Sequence, residues 1–161
     1  MLVSLKIFFD ILFFSKGPQD LPSSQSLLNL VILANILIGL ISLNPDNLAL
    51  NILPTIVYIV VTSLFIKITL DIKDKDQGYN TSYSKRYLQV CTGILGIHVL
   101  IGIITTLFAV LFSTSGDVPI IIATVLILYS LNVNGHIFRN AFDTTILFGL
   151  GISLLHIFVC I

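Results

Sequence analysis

The chain has 161 residues, with eight acidic and eight basic side chains, so its formal net charge at pH 7 is zero. Charged residues make up 10% and hydrophobic ones 56%, whereas an ordinary soluble domain carries about 25% charged residues. These proportions exclude a water-soluble globule and leave no basic face for a nucleic-acid backbone. They point to an integral membrane protein whose apolar surplus faces lipid.

In chain order, Met1 to Phe14 is apolar enough to mimic a signal peptide, but no small-residue cleavage site follows. It is too short to span, and Lys6 and Asp10 stand four residues apart on one helical face. The expectation is an N-terminal amphipathic helix lying in the interface, with Phe8, Phe9, Phe13 and Phe14 dipping into the acyl boundary. Lys16 to Pro22 contains two prolines that cannot continue this helix, so it reads as an elbow, after which Ser23 or Ser24 caps the next helix. Residues 1–22 thus form an entry segment and 23–161 a transmembrane domain.

A spanning helix needs about 20 mostly apolar residues. Five runs qualify between polar breaks, over 26–43, 48–70, 87–112, 118–138 and 144–161. The expected fold is an all-α polytopic membrane helix bundle of five transmembrane helices. Asn44-Pro45-Asp46-Asn47 and Ser113 to Asp117 have turn chemistry, and Pro119 suits a first helical turn. Asp71 to Lys85 reads as the one long polar loop, and Asp143 as the cap of the last helix.

The cations set the orientation, because Lys and Arg in short loops stay on the cytoplasmic side. Lys6 and Lys16 precede the first span; Lys67, Lys73, Lys75, Lys85 and Arg86 flank the second-to-third connection; Arg139 lies between the fourth and fifth. Every cation therefore falls on one side, giving a cytoplasmic N-terminus and an extracytoplasmic C-terminus. Six Lys against two Arg, with abundant Ile and Asn, suits an AT-rich bacterial genome and hence a bacterial inner membrane.

The chain contains no Glu and no Trp. Intramembrane proteases built on H-E-x-x-H or paired Glu are thereby excluded. All eight acids are Asp in or beside loops, so no mid-membrane carboxylate is present for proton or cation coupling. Cys91 and Cys160 fall near opposite faces of the bilayer and cannot pair within one molecule.

His98 lies twelve residues past Arg86 and His156 thirteen past Asp143, each about 18–20 Å in at 1.5 Å per residue. Two histidines at matched depth are what bis-histidine haem ligation needs. Both also sit on small-residue faces: Cys91, His98, Gly102 and Thr105 on one helix, and Thr145, Gly149, Ser153, His156 and Cys160 on the other. Such faces let helices approach and hydrogen-bond. Asn29 and Asn35, with Gly39 and Ser42, suggest another packing seam. Asn132, His136 and Asn140 form a polar stripe beside Arg139, which either packs on the long cytoplasmic loop or lines a vestibule made of Asn132, His136 and Arg139. Ser153 with His156 lacks the oxyanion pocket and orienting group a hydrolase needs.

The span number, the cytoplasmic N-terminus and the run Leu128 to Cys160, in which a short polar link from Arg139 to Thr144 joins two final helices, resemble the small five-span proteins of the Yip type. The resemblance implies a non-enzymatic membrane organiser acting through partner proteins, and it transfers no functional residue. The expected function is a non-catalytic partner, scaffold or assembly factor of a membrane complex, in contact with lipid and with other membrane proteins or copies of itself. No catalytic, cofactor or metal site is assigned. The alternatives are a small carrier or channel with the Asn132–His136–Arg139 vestibule, and an electron carrier whose haem is ligated by His98 and His156.

Overall fold

The computed structural model describes residues 2–41, 48–76, 82–112 and 120–160. The turns expected at 44–47 and 113–117, together with Ser42 and Pro119, lie outside the described residues. The described chain is helical, without a strand: α1 (Leu2–Leu12), α2 (Gln25–Ile41), α3 (Leu48–Asp76), α4 (Tyr87–Phe112), α5 (Ile120–Phe142) and α6 (Ile146–Cys160). Short 3-10 turns at Pro18–Asp20 and Tyr83–Arg86 lead into α2 and α4.

Three stretches are long and apolar enough to cross a membrane: Ile52–Asp76, Tyr83–Phe108 and Ile120–Phe142. α2 and α6 are apolar but have only 17 and 15 residues, about 26 and 22 Å against a hydrocarbon core of about 30 Å.

α5 and α6 form the tightest pair, because small residues face each other. A Cβ on Gly149 would meet the carbonyl oxygen of Gly135 and lie 2.8 Å from the backbone nitrogen of Arg139. Ser153 Oγ donates to Leu131 O at 2.9 Å across the same contact. Without side chains to hold them apart, the two backbones reach van der Waals distance. The turn between them is closed at Asp143, which takes a left-handed φ of 49° while Thr144 N–H donates to Arg139 O at 3.0 Å, the hydrogen bond of a Schellman C-cap. Asp143 therefore ends α5 rather than capping α6. The cap is Thr145, whose Oγ1 accepts from Phe148 N–H at 3.4 Å. The Asp143 carboxylate instead pairs with Arg86 at 2.8 Å. The same guanidinium donates to the last carbonyls of α5, Asn140 O and Ala141 O, where a cation meets the negative end of the helix dipole.

The region expected as a polar loop from Asp71 is partly helix, since α3 runs on to Asp76. Its Asp74 carboxylate accepts from the Tyr83 and Ser84 backbone N–H groups and from the Ser84 hydroxyl, and Asp71 accepts from that hydroxyl at 2.9 Å. One carboxylate thus caps the 3-10 turn that begins α4 from nine residues upstream, pinning α3 to α4.

α1 packs on the bundle. Its Ile7, Phe8, Ile11 and Leu12 are buried against α4 and α5. The Phe8 ring occupies the space that a side chain on Gly96 would need, and Tyr129 Oη donates to Leu12 O at 2.7 Å. Of the four phenylalanines expected at the acyl boundary, Phe8 is in the core, while Phe9, Phe13 and Phe14 are exposed. Asp10 pairs with Lys16 at 3.1 Å rather than with Lys6. The physical reason for this docking is Gly96 on α4, whose missing side chain leaves room for the Phe8 ring.

The elbow is built in detail. Gly17 N–H donates to Asp20 Oδ2 at 2.9 Å, and Gln89 Nε2 reaches Gln19 O at 3.0 Å and Leu21 O at 2.6 Å. Pro18 and Leu21 pack beside Gly93. Ser24 takes the cap position of α2, its Oγ accepting from Leu27 N–H at 3.4 Å.

Candidate functional site: a polar cluster inside the bundle

Residues four apart stack on one helix face, and three helices use this spacing to present polar pairs inward: Tyr58 and Thr62 on α3, Ser130 and Asn134 on α5, His156 and Cys160 on α6. α4 adds His98 and α2 adds Asn35.

Asn35, 2% exposed, is the anchor. Its amide nitrogen donates to Val31 O at 2.9 Å and to Leu95 O of α4 at 3.0 Å, so both amide hydrogens are committed. The amide oxygen therefore accepts from His98 Nδ1 at 2.8 Å. This fixes the His98 tautomer: Nδ1 carries the proton and Nε2 keeps its lone pair. The imidazole also stacks on Tyr58, with ring centroids 4.2 Å apart and planes 28° from parallel.

His156 is held from the other side. Its Nε2 shares a 3.0 Å hydrogen bond with Thr62 Oγ1 and lies 3.4 Å from Cys160 Sγ. The ring is wedged among Tyr58, Phe65 and Phe138, at centroid distances of 6.1, 5.2 and 6.0 Å. Its Nδ1 is buried without a hydrogen-bond partner.

Between these groups lies a cavity of about 230 Å³, lined by Tyr58, His98, Ser130, Asn134, His156, Ile157 and Cys160. The structure thus brings His98 and His156 to one cavity, with Tyr58 of α3 in contact with both rings. For the haem alternative the two rings differ. His98 Nε2 is open, but the His156 nitrogens are taken by Thr62 or buried, where axial ligation asks for one open nitrogen from each. Among the described residues no group of three or more His, Cys, Asp or Glu is placed to hold a metal ion.

The vestibule residues are not gathered in this way. His136 is buried, and its Nε2–H donates to Lys16 O at 2.9 Å under an edge contact with Phe14 at 5.4 Å. Asn132 is exposed and bonds back to Leu128 O of its own helix, and Arg139 is exposed. Asn140 donates to His136 O. His136 of this stripe therefore packs on the N-terminal elbow. In the α2 seam Asn35 and Gly39 face neighbouring helices, Gly39 against Thr55, but Asn29 is exposed and bonded by Gln25 of its own helix. Ser153 spends its hydroxyl on Leu131 O, and both cysteines are free thiols.

Sequence reading passed over Tyr58, Thr62, Ser130 and Gln89. The signal for three of them was the spacing of polar pairs, 58 with 62 and 130 with 134, inside otherwise apolar runs. Comparison with family models, with curated proteins and with solved structures gives no match.

Proposed function

We propose that the chain is a multi-pass protein of a bacterial inner membrane, crossing five times with its N-terminus in the cytoplasm and its C-terminus outside. It acts as a non-catalytic partner, scaffold or assembly factor of a larger membrane complex. The five crossings are supported by the confinement of every cation to the N-terminal segment, the α3–α4 connection and the α5–α6 link. They are supported too by the apolar character of α2 and α6, whose shortness a bilayer accommodates by local thinning at modest cost. The Yip-type resemblance carries the same functional expectation.

The observation that carries the reading is where the intramembrane polar groups spend themselves. Asn35 bonds across α2 and α4, Thr62 and His156 across α3 and α6, and Ser153 across α6 and α5. Each such bond holds two helices in register, worth about 0.6–1.7 kcal/mol in a bilayer, which is the work expected of an adaptor that must present a fixed surface.

Affinity purification from native membranes in mild detergent tests it, with every co-purifying protein quantified. A reproducible partner at a fixed molar ratio is the expected result. Recovery of the chain as a lone monomer would overturn the partner reading.

A further inference from the structure

We propose that the cavity between α3, α4, α5 and α6 is a binding site for one small uncharged molecule that both donates and accepts hydrogen bonds. Its walls supply a phenol from Tyr58, a hydroxyl from Ser130, an amide from Asn134, an imidazole acceptor from His98 and a thiol from Cys160, with Ile157 as the apolar wall. Among the described residues no Asp, Glu, Lys or Arg lines it. An ion entering such a place would lose its hydration without meeting a counter-charge, which costs far more than a neutral solute's exchange of hydrogen bonds.

The strongest argument is unspent bonding capacity. Elsewhere in the bundle a buried amide or hydroxyl bridges two helices, as Asn35 and Ser153 do. Ser130 and Asn134 stand on the same α5 that receives the Ser153 bond, yet neither makes a side-chain hydrogen bond among the described residues, although Asn134 is 6% exposed. His98 Nε2 is also without a partner, and the proton on its other nitrogen fixes it as an acceptor. His156, at the back of the cavity and 2% exposed, keeps a bare Nδ1. Leaving a buried polar group unanswered costs about 1–3 kcal/mol; the buried Asn134 amide and His156 Nδ1 are two such groups around one space, with the half-buried Ser130 hydroxyl and the exposed His98 ring beside them, and together they indicate an occupant that answers them. At about 230 Å³ the space holds several waters or one small solute.

Cys160, on the cavity wall and partly exposed, is a built-in reporter. In proteoliposomes of the Cys91→Ser protein, the uncharged reagent methyl methanethiosulfonate is compared with its cationic trimethylammonium-ethyl analogue. The Cys160 thiolate attacks the sulfenyl sulfur of either reagent, forming a mixed disulfide with its alkylthio group as the S–SO2 bond breaks and methanesulfinate leaves. The methyl reagent is expected to label Cys160. The cationic one should be at least about tenfold slower after correction for intrinsic reactivity. Glycerol, as a small uncharged donor and acceptor, should slow methyl labelling several-fold.

Asn134→Phe puts a ring into the cavity and should slow the methyl reagent about tenfold. Asn134→Ala only removes the amide; it should leave labelling intact and weaken glycerol protection, so the test stands if the phenylalanine variant does not fold. Equal labelling by both reagents, no effect of glycerol, or no labelling at all would each overturn the proposal. So would an unchanged rate in a monodisperse Asn134→Phe protein, which would mean that the reagent arrives through lipid.

Discussion

Gly149 and Gly151 are two residues apart on α6 and meet opposite surroundings, so alanine at each makes a matched experiment. A methyl on Gly149 would fall onto the Gly135 carbonyl oxygen, 2.8 Å from Arg139 N and 3.0 Å from Arg139 Cβ, whereas nothing lies within 4 Å of one on Gly151. Ordinary contact begins near 3.4 Å, so against Arg139 N alone the backbones must separate by the difference, 0.6 Å, and the Gly135 carbonyl demands more. The atoms in the way are mainly backbone and cannot rotate aside. Overpacking of this kind costs about 1–3 kcal/mol. Gly151→Ala, with no clash, removes only backbone freedom and should be neutral or gain up to about 1 kcal/mol. Thermal unfolding in mild detergent, followed by circular dichroism and by monodispersity on a sizing column, reads both variants. Gly149→Ala should melt clearly below the parent and Gly151→Ala at or above it. Equal behaviour of the two would refute the close α5–α6 contact.

Asn35→Leu removes a bond to Leu95 O and leaves the His98 Nδ1 proton unanswered, so stability in the same assay should fall by about 1–3 kcal/mol. Adding His98→Phe to that variant should cost less than His98→Phe does alone, because the partners are already separated; strict additivity would deny the pair. At the α5–α6 turn, Asp143→Ala and Asp143→Gly both lose the Arg86 ion pair, which is partly exposed and worth no more than about 1 kcal/mol. Only alanine must then carry a side chain at a φ of 49°, so the glycine variant should be the more stable by about 1 kcal/mol, and the reverse order would contradict the left-handed cap.

The helices were legible because apolar runs of this length between polar breaks have few other solutions, and the depth arithmetic from Arg86 and Asp143 put His98 and His156 at one level before any contact was known. What was missed depended on partners distant in sequence. Asp143 stands where an N-cap would, three residues before the apolar run of α6; it instead ends α5 in a left-handed conformation, and its carboxylate goes to Arg86, 57 residues away. α1 has the amphipathic pattern of an interfacial helix, and the same pattern serves to dock on protein where Gly96 leaves room for the Phe8 ring. Tyr58 and Thr62 sit in a run where aromatic and β-branched residues are ordinary, so a single sequence gives them little contrast. The elbow's hydrogen bonds to Gln89 and His136 join residues 68 to 120 apart, a separation that local patterning does not encode.

The arrangement we propose requires five crossings, with the α3–α4 connection and the N-terminal elbow on the same side of the membrane. The most direct test is a dual reporter fused after Ile161, one moiety active only outside the cytoplasm and the other fluorescent only within it. The account predicts extracytoplasmic activity without fluorescence. Fluorescence without extracytoplasmic activity would place the C-terminus in the cytoplasm and would contradict five crossings from a cytoplasmic N-terminus.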